Sequence, residues 1–145
     1  MTIKAILQGR EGPIHALTSA TIVVDAVADL AARRIGAMPV IDDGKVVGIF
    51  SERDVIHGLA GDREAFLAKT VAEVMITPVI TVSPETGVMT ALSMMTRRRI
   101  RHLPVLDADD MVGFVSIGDL VKFRIDRIEA EAAAIRDMMS RKSKT

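Results

Sequence analysis

"RRIGAMPVIDDGKVVGIFSERDVI", residues 33–56, lies without a gap on "RRIRHLPVLDADDMVGFVSIGDLV", residues 98–121. The register continues backward: "IHALTSATIVVDAVADLAA" (14–32) falls on "VITVSPETGVMTALSMMTR" (79–97) at the same offset of 65. Thr21/Thr86, Ala26/Ala91, Arg34/Arg99, Pro39/Pro104, Gly48/Gly113, Ser51/Ser116 and Asp54/Asp119 are identical pairs, and many others are apolar on apolar. The lead-ins also agree once three residues are skipped, "TIKAIL" (2–7) against "TVAEVM" (70–75). Chance does not hold an ungapped register that long, so the chain is a duplicated unit.

Each unit reads as β-α-β-β-α. "PVITVS" (78–83) is a short β-rich run, and Ser83-Pro84-Glu85 is expected to open a helix, with proline tolerated in the first turn. "HLPVLD" and "MVGFVS" are two strands joined by an Asp-rich turn; the equivalent "DDGK" carries Asp-Gly, a strong hairpin signal. Ser51 and Ser116 precede the closing helices. Two small sheets, each half covered by helices, bury their remaining faces against each other. The expected architecture is α/β (α+β) with pseudo-two-fold symmetry: repeat 1 over 1–62, repeat 2 over 63–125, and a helical extension with a frayed tail over 126–145.

Bulk composition narrows the function. Nineteen basic residues balance nineteen acidic ones, which argues against a dedicated nucleic-acid binder. Cysteine is absent, so disulfides and thiolate metal sites are excluded, and a reducing, cytoplasmic setting is expected. The N-terminus lacks a signal peptide's long apolar region, and no apolar run nears the roughly 20 residues that span a bilayer. His15, His57 and His102 lack metal-ligand spacing, and no Walker loop, GxGxxG after a strand or nucleophile signature is present. No enzyme is expected, and no metal.

"GIFSERD" (48–54) and "GFVSIGD" (113–119) allow two uses of one geometry. One is a capping box, in which serine and the acid three residues on satisfy the helix's free amides. The other is ligand binding: the helix start favours a phosphate, serine donates to its oxygens, and a carboxylate accepts from ribose hydroxyls. The glycine three residues before each serine lets another backbone approach.

The repeated pattern of strand, helix, "hxhPV", turn and "VGhhSxxDhh" resembles a tandem pair of CBS domains (the cystathionine β-synthase type). The similarity covers residues 2–125 and rests on both motif copies. It implies a pseudo-symmetric disc with two clefts between the units, where adenine nucleotides bind and the pair acts as a ligand sensor. Ser51, Asp54, Ser116 and Asp119 are then the phosphate and ribose contacts. The resemblance puts Ile80, Val82, Arg99, Arg101, His102, Leu103, Pro104, Ser116 and Asp119 in the repeat 2 cleft. It puts Ala16, Arg34, Ala37, Met38, Pro39, Ser51, Arg53 and Asp54 in the repeat 1 cleft. AMP is favoured in the former; ATP, ADP or NAD(H) stay open. The repeat 1 cleft is left open between a second or larger nucleotide, with Arg53 on its phosphates, and no ligand.

The most basic stretch, "RRRIRHLPV" (97–105), fits this frame. Arg98 and Arg99 match Arg33 and Arg34 at a helix C-terminus, where cations complement the dipole. Arg101 and His102 replace Gly36 and Ala37, so they are particular to the second repeat. Arginine's planar fork suits phosphate oxygens, whereas His102 is open between ligand contact and a backbone hydrogen bond. The rival readings are a nucleic-acid binder through Arg97–Arg101 and a ligand-free dimeric scaffold. With no Trp or Tyr and four scattered phenylalanines, aromatic stacking is not expected and affinity should be modest.

Residues 119–140 contain no Gly or Pro and form a helix candidate. Val121, Ile125, Ile128, Ala132, Ile135 and Met139 are spaced as a heptad seam, expected to hold a homodimer unless the stripe packs back on its own domain. The regulated target is expected to be another polypeptide.

Overall fold

In the computed structural model the chain is described over residues 1–10 and 12–143. Its elements are α1 (Ile3–Leu7), α2 (Val23–Arg33), β1 (Ala37–Asp42), β2 (Lys45–Ser51), α3 (Glu52–Ala60), α4 (Arg63–Ala68), α5 (Val71–Val74), α6 (Val88–Arg98), β3 (His102–Asp107), β4 (Asp110–Ser116) and α7 (Ile117–Ser143). β1 pairs antiparallel with β2, and β3 with β4. Both hairpins carry a bulge at the same repeat position, between Val40 and Ile41 and between Val105 and Leu106. Asp43 and Gly44 both have positive φ (50° and 78°), the two-residue turn that Asp-Gly favours.

The first strand of each unit is shorter than the sequence suggests. It is a single parallel bridge, Leu17 to Val40 and Val82 to Val105, held by amide–carbonyl bonds on either side. Ser83 does not start α6. Residues 83–86 instead close a turn, in which the Thr86 amide donates to Ser83 O and the Ser83 amide donates to Thr86 Oγ1, both at 3.1 Å. The helix begins at Val88 after Gly87. Arg141–Ser143, expected to fray, complete the last turn of α7, and Lys144 and Thr145 lie outside the described residues.

Two apolar cores form, and each recruits a helix from across the repeat boundary. The first gathers Leu17, Val23, Leu30, Met38, Val40 and Phe50 with Phe66 of α4 and Val71 of α5. The second gathers Val82, Val88, Met95, Leu103, Val105, Val115 and Leu120 with Ile3 and Ile6 of α1. The helix leading into each repeat thus packs against the other one. The motif glycines make this possible. A Cβ on Gly48 would stand 2.5 Å from Met75 Sδ, and one on Gly113 would stand 2.5 Å from Leu7 Cδ2. The close approach expected at these glycines is therefore to the exchanged segments.

Candidate functional site

The Ser-x-x-Asp turns are capping boxes in both copies. Asp54 Oδ2 accepts from the Ser51 amide at 3.1 Å and its hydroxyl at 2.9 Å. Asp119 Oδ2 accepts from the Ser116 amide at 2.7 Å, while the Asp119 amide donates to Ser116 Oγ at 3.1 Å. The cap uses Oδ2 of each carboxylate.

Each cleft is built from both repeats, not from one. Cleft one sets Ile49, Ser51, Glu52 and Arg53 of the first repeat against Ile76, Pro78, Val79, Ile80, Arg99, Ile100, Arg101 and His102. Its walls are mostly aliphatic, and it is narrow, about 130 Å³. The Arg53 guanidinium reaches across to the Arg99 carbonyl at 3.4 Å. Cleft two sets Phe114, Ser116 and Asp119 against Arg10, His15 and the Arg34–Ala37 segment, with His102 on its rim, and is wider, about 540 Å³.

This corrects the grouping by repeat. Arg99 and Arg101 stand with Ser51 and Arg53, whereas Arg34 and Ala37 stand with Ser116 and Asp119; His102 borders both clefts. Asp54 is held just behind Ser51 and does not line cleft one, whereas Asp119 lines cleft two directly. Met38, Leu103 and Val82 are buried in the cores, Pro39 and Pro104 are buried as well, and none of the five lines either cleft. Ala16 is exposed but borders neither cleft. The basic run divides: Arg97 and Arg98 face solvent at the end of α6, while Arg99 and Arg101 turn into cleft one. Arg34 and Arg99 can turn inward because both end their helices in the left-handed region, φ 55° and 54°.

The sequence reading missed Arg10, His15, Glu52 and Phe114. Arg10 binds Asp119 at 2.5 Å and donates to Phe114 O at 2.8 Å. Phe114 stacks on His102, with centroids 5.5 Å apart and planes 13° from parallel, so one aromatic surface does border a cleft. The signal for His15 was available, since it occupies the repeat position of Ile80. Arg10 aligns with Pro78 only through the lead-in register, three residues out of step.

Charge is tuned mainly in cleft two. Burial alone would raise the Asp119 carboxyl. The Ser116 amide and hydroxyl and the Arg10 guanidinium outweigh it and hold Asp119 below the usual carboxylate value. Burial pushes the His102 imidazole down; Asp119 and Glu52 pull it up, and Arg101 pushes it further down, with a net lowering. No group of three or more metal-ligating side chains gathers among the described residues. Among them, too, no helix is long and apolar enough to cross a membrane.

The structure is a duplicated mixed α/β module with two inter-repeat clefts, each bordered by the serine of a Ser-x-x-Asp helix start. The chain belongs to the CBS-domain family, whose pattern matches residues 9–61 and again 71–126. It is 36% identical over 110 residues to the mitochondrial CBS domain-containing protein CBSX3 of Arabidopsis thaliana, covering 72% of this chain and about half (53%) of that one. Its fold superposes on a CBS-domain protein from Burkholderia ambifaria MC40-6 with a TM-score of 0.81 and 35% identity, over 87% of this chain and 95% of that one. A CBS domain pair solved in complex with 5′-methylthioadenosine and S-adenosyl-L-methionine matches with a TM-score of 0.76 and 27% identity, over 88% and 98% of the two chains.

Proposed function

We propose that this protein is a non-catalytic regulatory module that senses an adenosine compound, AMP before ADP, ATP or NAD(H), and that cleft one is its principal site. The carrying observation is the meeting of an aliphatic slot (Ile49, Ile76, Val79, Ile80) with three guanidiniums, Arg53, Arg99 and Arg101. A planar base gains from the dry walls, and a phosphate gains from arginine forks and from Ser51 at the start of α3. The relative solved with two adenosine derivatives supports that ligand class. The sequence expectation of AMP beside Ser116 and Asp119 is moved because Arg101 lies with the other serine. Cleft two is the secondary site, with Asp119 engaged by Arg10. The dispersal of Arg97–Arg101 over solvent and slot favours a phosphate clamp over a nucleic-acid strip.

We also read α7 as the contact of a homodimer that passes the ligand state to a separate target polypeptide. A thermal-shift panel of AMP, ADP, ATP, NAD(H) and S-adenosylmethionine tests the sensor reading. At 100 Kd, one bound ligand adds about 2.7 kcal/mol to the folded state, a shift of several degrees. A flat panel, with no small molecule found by mass analysis of the purified protein, would leave only the ligand-free scaffold.

A further inference from the structure

The last contacts of α7 with its own body are made by Leu120 and Phe123, which join the second core. Every described side chain from Ile125 to Lys142 is exposed except the half-buried Ala132. Residues 125–143 therefore run out as about 28 Å of helix. Along it lies the apolar seam of Val121, Ile125, Ile128, Ala132, Ile135 and Met139, whose five larger side chains are 42% to 67% exposed. A projecting helix whose apolar stripe lies open to solvent is marginal in water, so this stripe needs a cover. The possibility that it folds back on its own domain is removed by those exposures.

The seam fixes heptad positions: Ile125, Ala132 and Met139 at a; Val121, Ile128 and Ile135 at d. The flanking g positions are then Arg124, Glu131 and Met138, and the e positions Lys122, Glu129 and Arg136. In a parallel pair each g residue faces the e residue of the next heptad on the other helix. That brings Arg124 to Glu129 and Glu131 to Arg136, four attractive pairs by symmetry. An antiparallel pair overlapping the whole seam brings Glu129 and Glu131 each opposite its own copy and Lys122 opposite Arg136. Charge thus selects one orientation and one occupant.

We infer that two copies of this chain pair α7 with α7 as a parallel, in-register two-stranded coiled coil, with Arg124 against Glu129 and Glu131 against Arg136. The inference rests on the homodimer reading above and adds its orientation. Within the chain, Glu131 also meets Arg127 at 3.6 Å, an exposed i,i+4 contact that leaves it able to reach a second arginine.

The native chain has no cysteine, which makes a crosslink test direct. Light scattering on the full chain is expected to give a dimer. Met139→Cys is expected to form a disulfide dimer on mild oxidation, and to lose it when oxidised in urea. The double variants Arg124→Glu/Glu131→Arg and Glu129→Arg/Arg136→Glu should each weaken the dimer roughly tenfold or more, and an equal mixture should restore it. A native chain that stays monomeric at roughly 100 μM, a thousandfold and more above the Kd of a tight dimer, overturns this pairing and the homodimer reading together. A dimer in which Met139→Cys crosslinks only to Val121→Cys in a mixture overturns the orientation alone. Dimerisation that survives deletion of residues 127–145 places the contact elsewhere and overturns the coiled coil.

Discussion

The two halves of this molecule share one backbone plan, and their clefts keep Ser51/Ser116, Arg99/Arg34 and Ile100/Ile35 in common while differing at the other equivalent lining positions. Pro78 stands where the other cleft has Arg10, Ile80 where it has His15, Ile49 where it has Phe114, and Arg101 where it has Gly36. One carbonyl shows how the difference arises. In the first half Ile49 O accepts from the Ile76 amide at 2.8 Å, so backbone completes the strand edge. In the second half the equivalent Phe114 O accepts from the Arg10 guanidinium. That side chain then also holds Asp119. A backbone repair keeps that edge of cleft one aliphatic; a side-chain repair brings charge to the same edge of cleft two. Duplication preserved the frame, and the lead-in segments decided what each cleft can take.

Removing two of the three guanidiniums of cleft one, Arg53→Ala with Arg101→Ala, should weaken AMP binding roughly 100-fold, from two charge-assisted contacts of about 1.5 kcal/mol each. Arg10→Ala with Arg34→Ala should change it less than about threefold, since exposed ion pairs are worth under about 1 kcal/mol. Titration calorimetry on both variants decides which cleft is principal; the reverse ranking would exchange their roles.

The shared frame predicts parallel losses of stability. Gly113→Ala should cost about 1–3 kcal/mol by overpacking against branched Leu7, and Gly48→Ala somewhat less because flexible Met75 can move aside. Urea denaturation reads both, and an unaffected Gly113→Ala would show that α1 does not pack as described.

A smaller effect is expected from freeing Asp119 alone. Arg10→Met should raise ligand stoichiometry from one toward two per chain, with a gain in second-site affinity of up to about fivefold, the worth of one exposed ion pair. Calorimetric stoichiometry is the readout.

The smallest effect separates the halves by pH. The folded state holds His102 below its ordinary value of about 6.5. As pH falls through 6.5 the unfolded chain therefore takes up a proton that the folded chain refuses, and stability declines until pH reaches the lowered value. The first half carries Ala37 at that position. His102→Gln should flatten the melting temperature between about pH 7 and pH 5, and an unaltered slope would trace the decline to another group.

The duplication, both hairpins and the closing helices were legible because their signals are local: Asp-Gly at the turn, serine and aspartate three apart, apolar residues at helical spacing. The site was legible in its residue types and not in its partnerships. Ser116 was expected beside Arg99 and Arg101, which are near it in sequence, yet the packing of the two repeats against each other puts Arg34 there instead. Periodicity cannot report a crossing of that kind, because each helix looks the same whichever core receives it. Arg10 was missed because it lies in a loop, three residues out of the main register. Buried Met38 and Leu103 show the opposite limit, since an apolar side chain on a strand reads alike for a core and for a base-binding wall.

The crossing of α1 and α5 also bears on dissection. A polypeptide of half this length, folded on this plan, would need the leading helix of a twin to complete its hydrophobic interior. Severing today's chain between α5 and α6 would keep Phe66 and Val71 with the first core and part α1 from the second, whereas severing it between α3 and α4 would strip the amino-terminal half of Phe66 and Val71 as well.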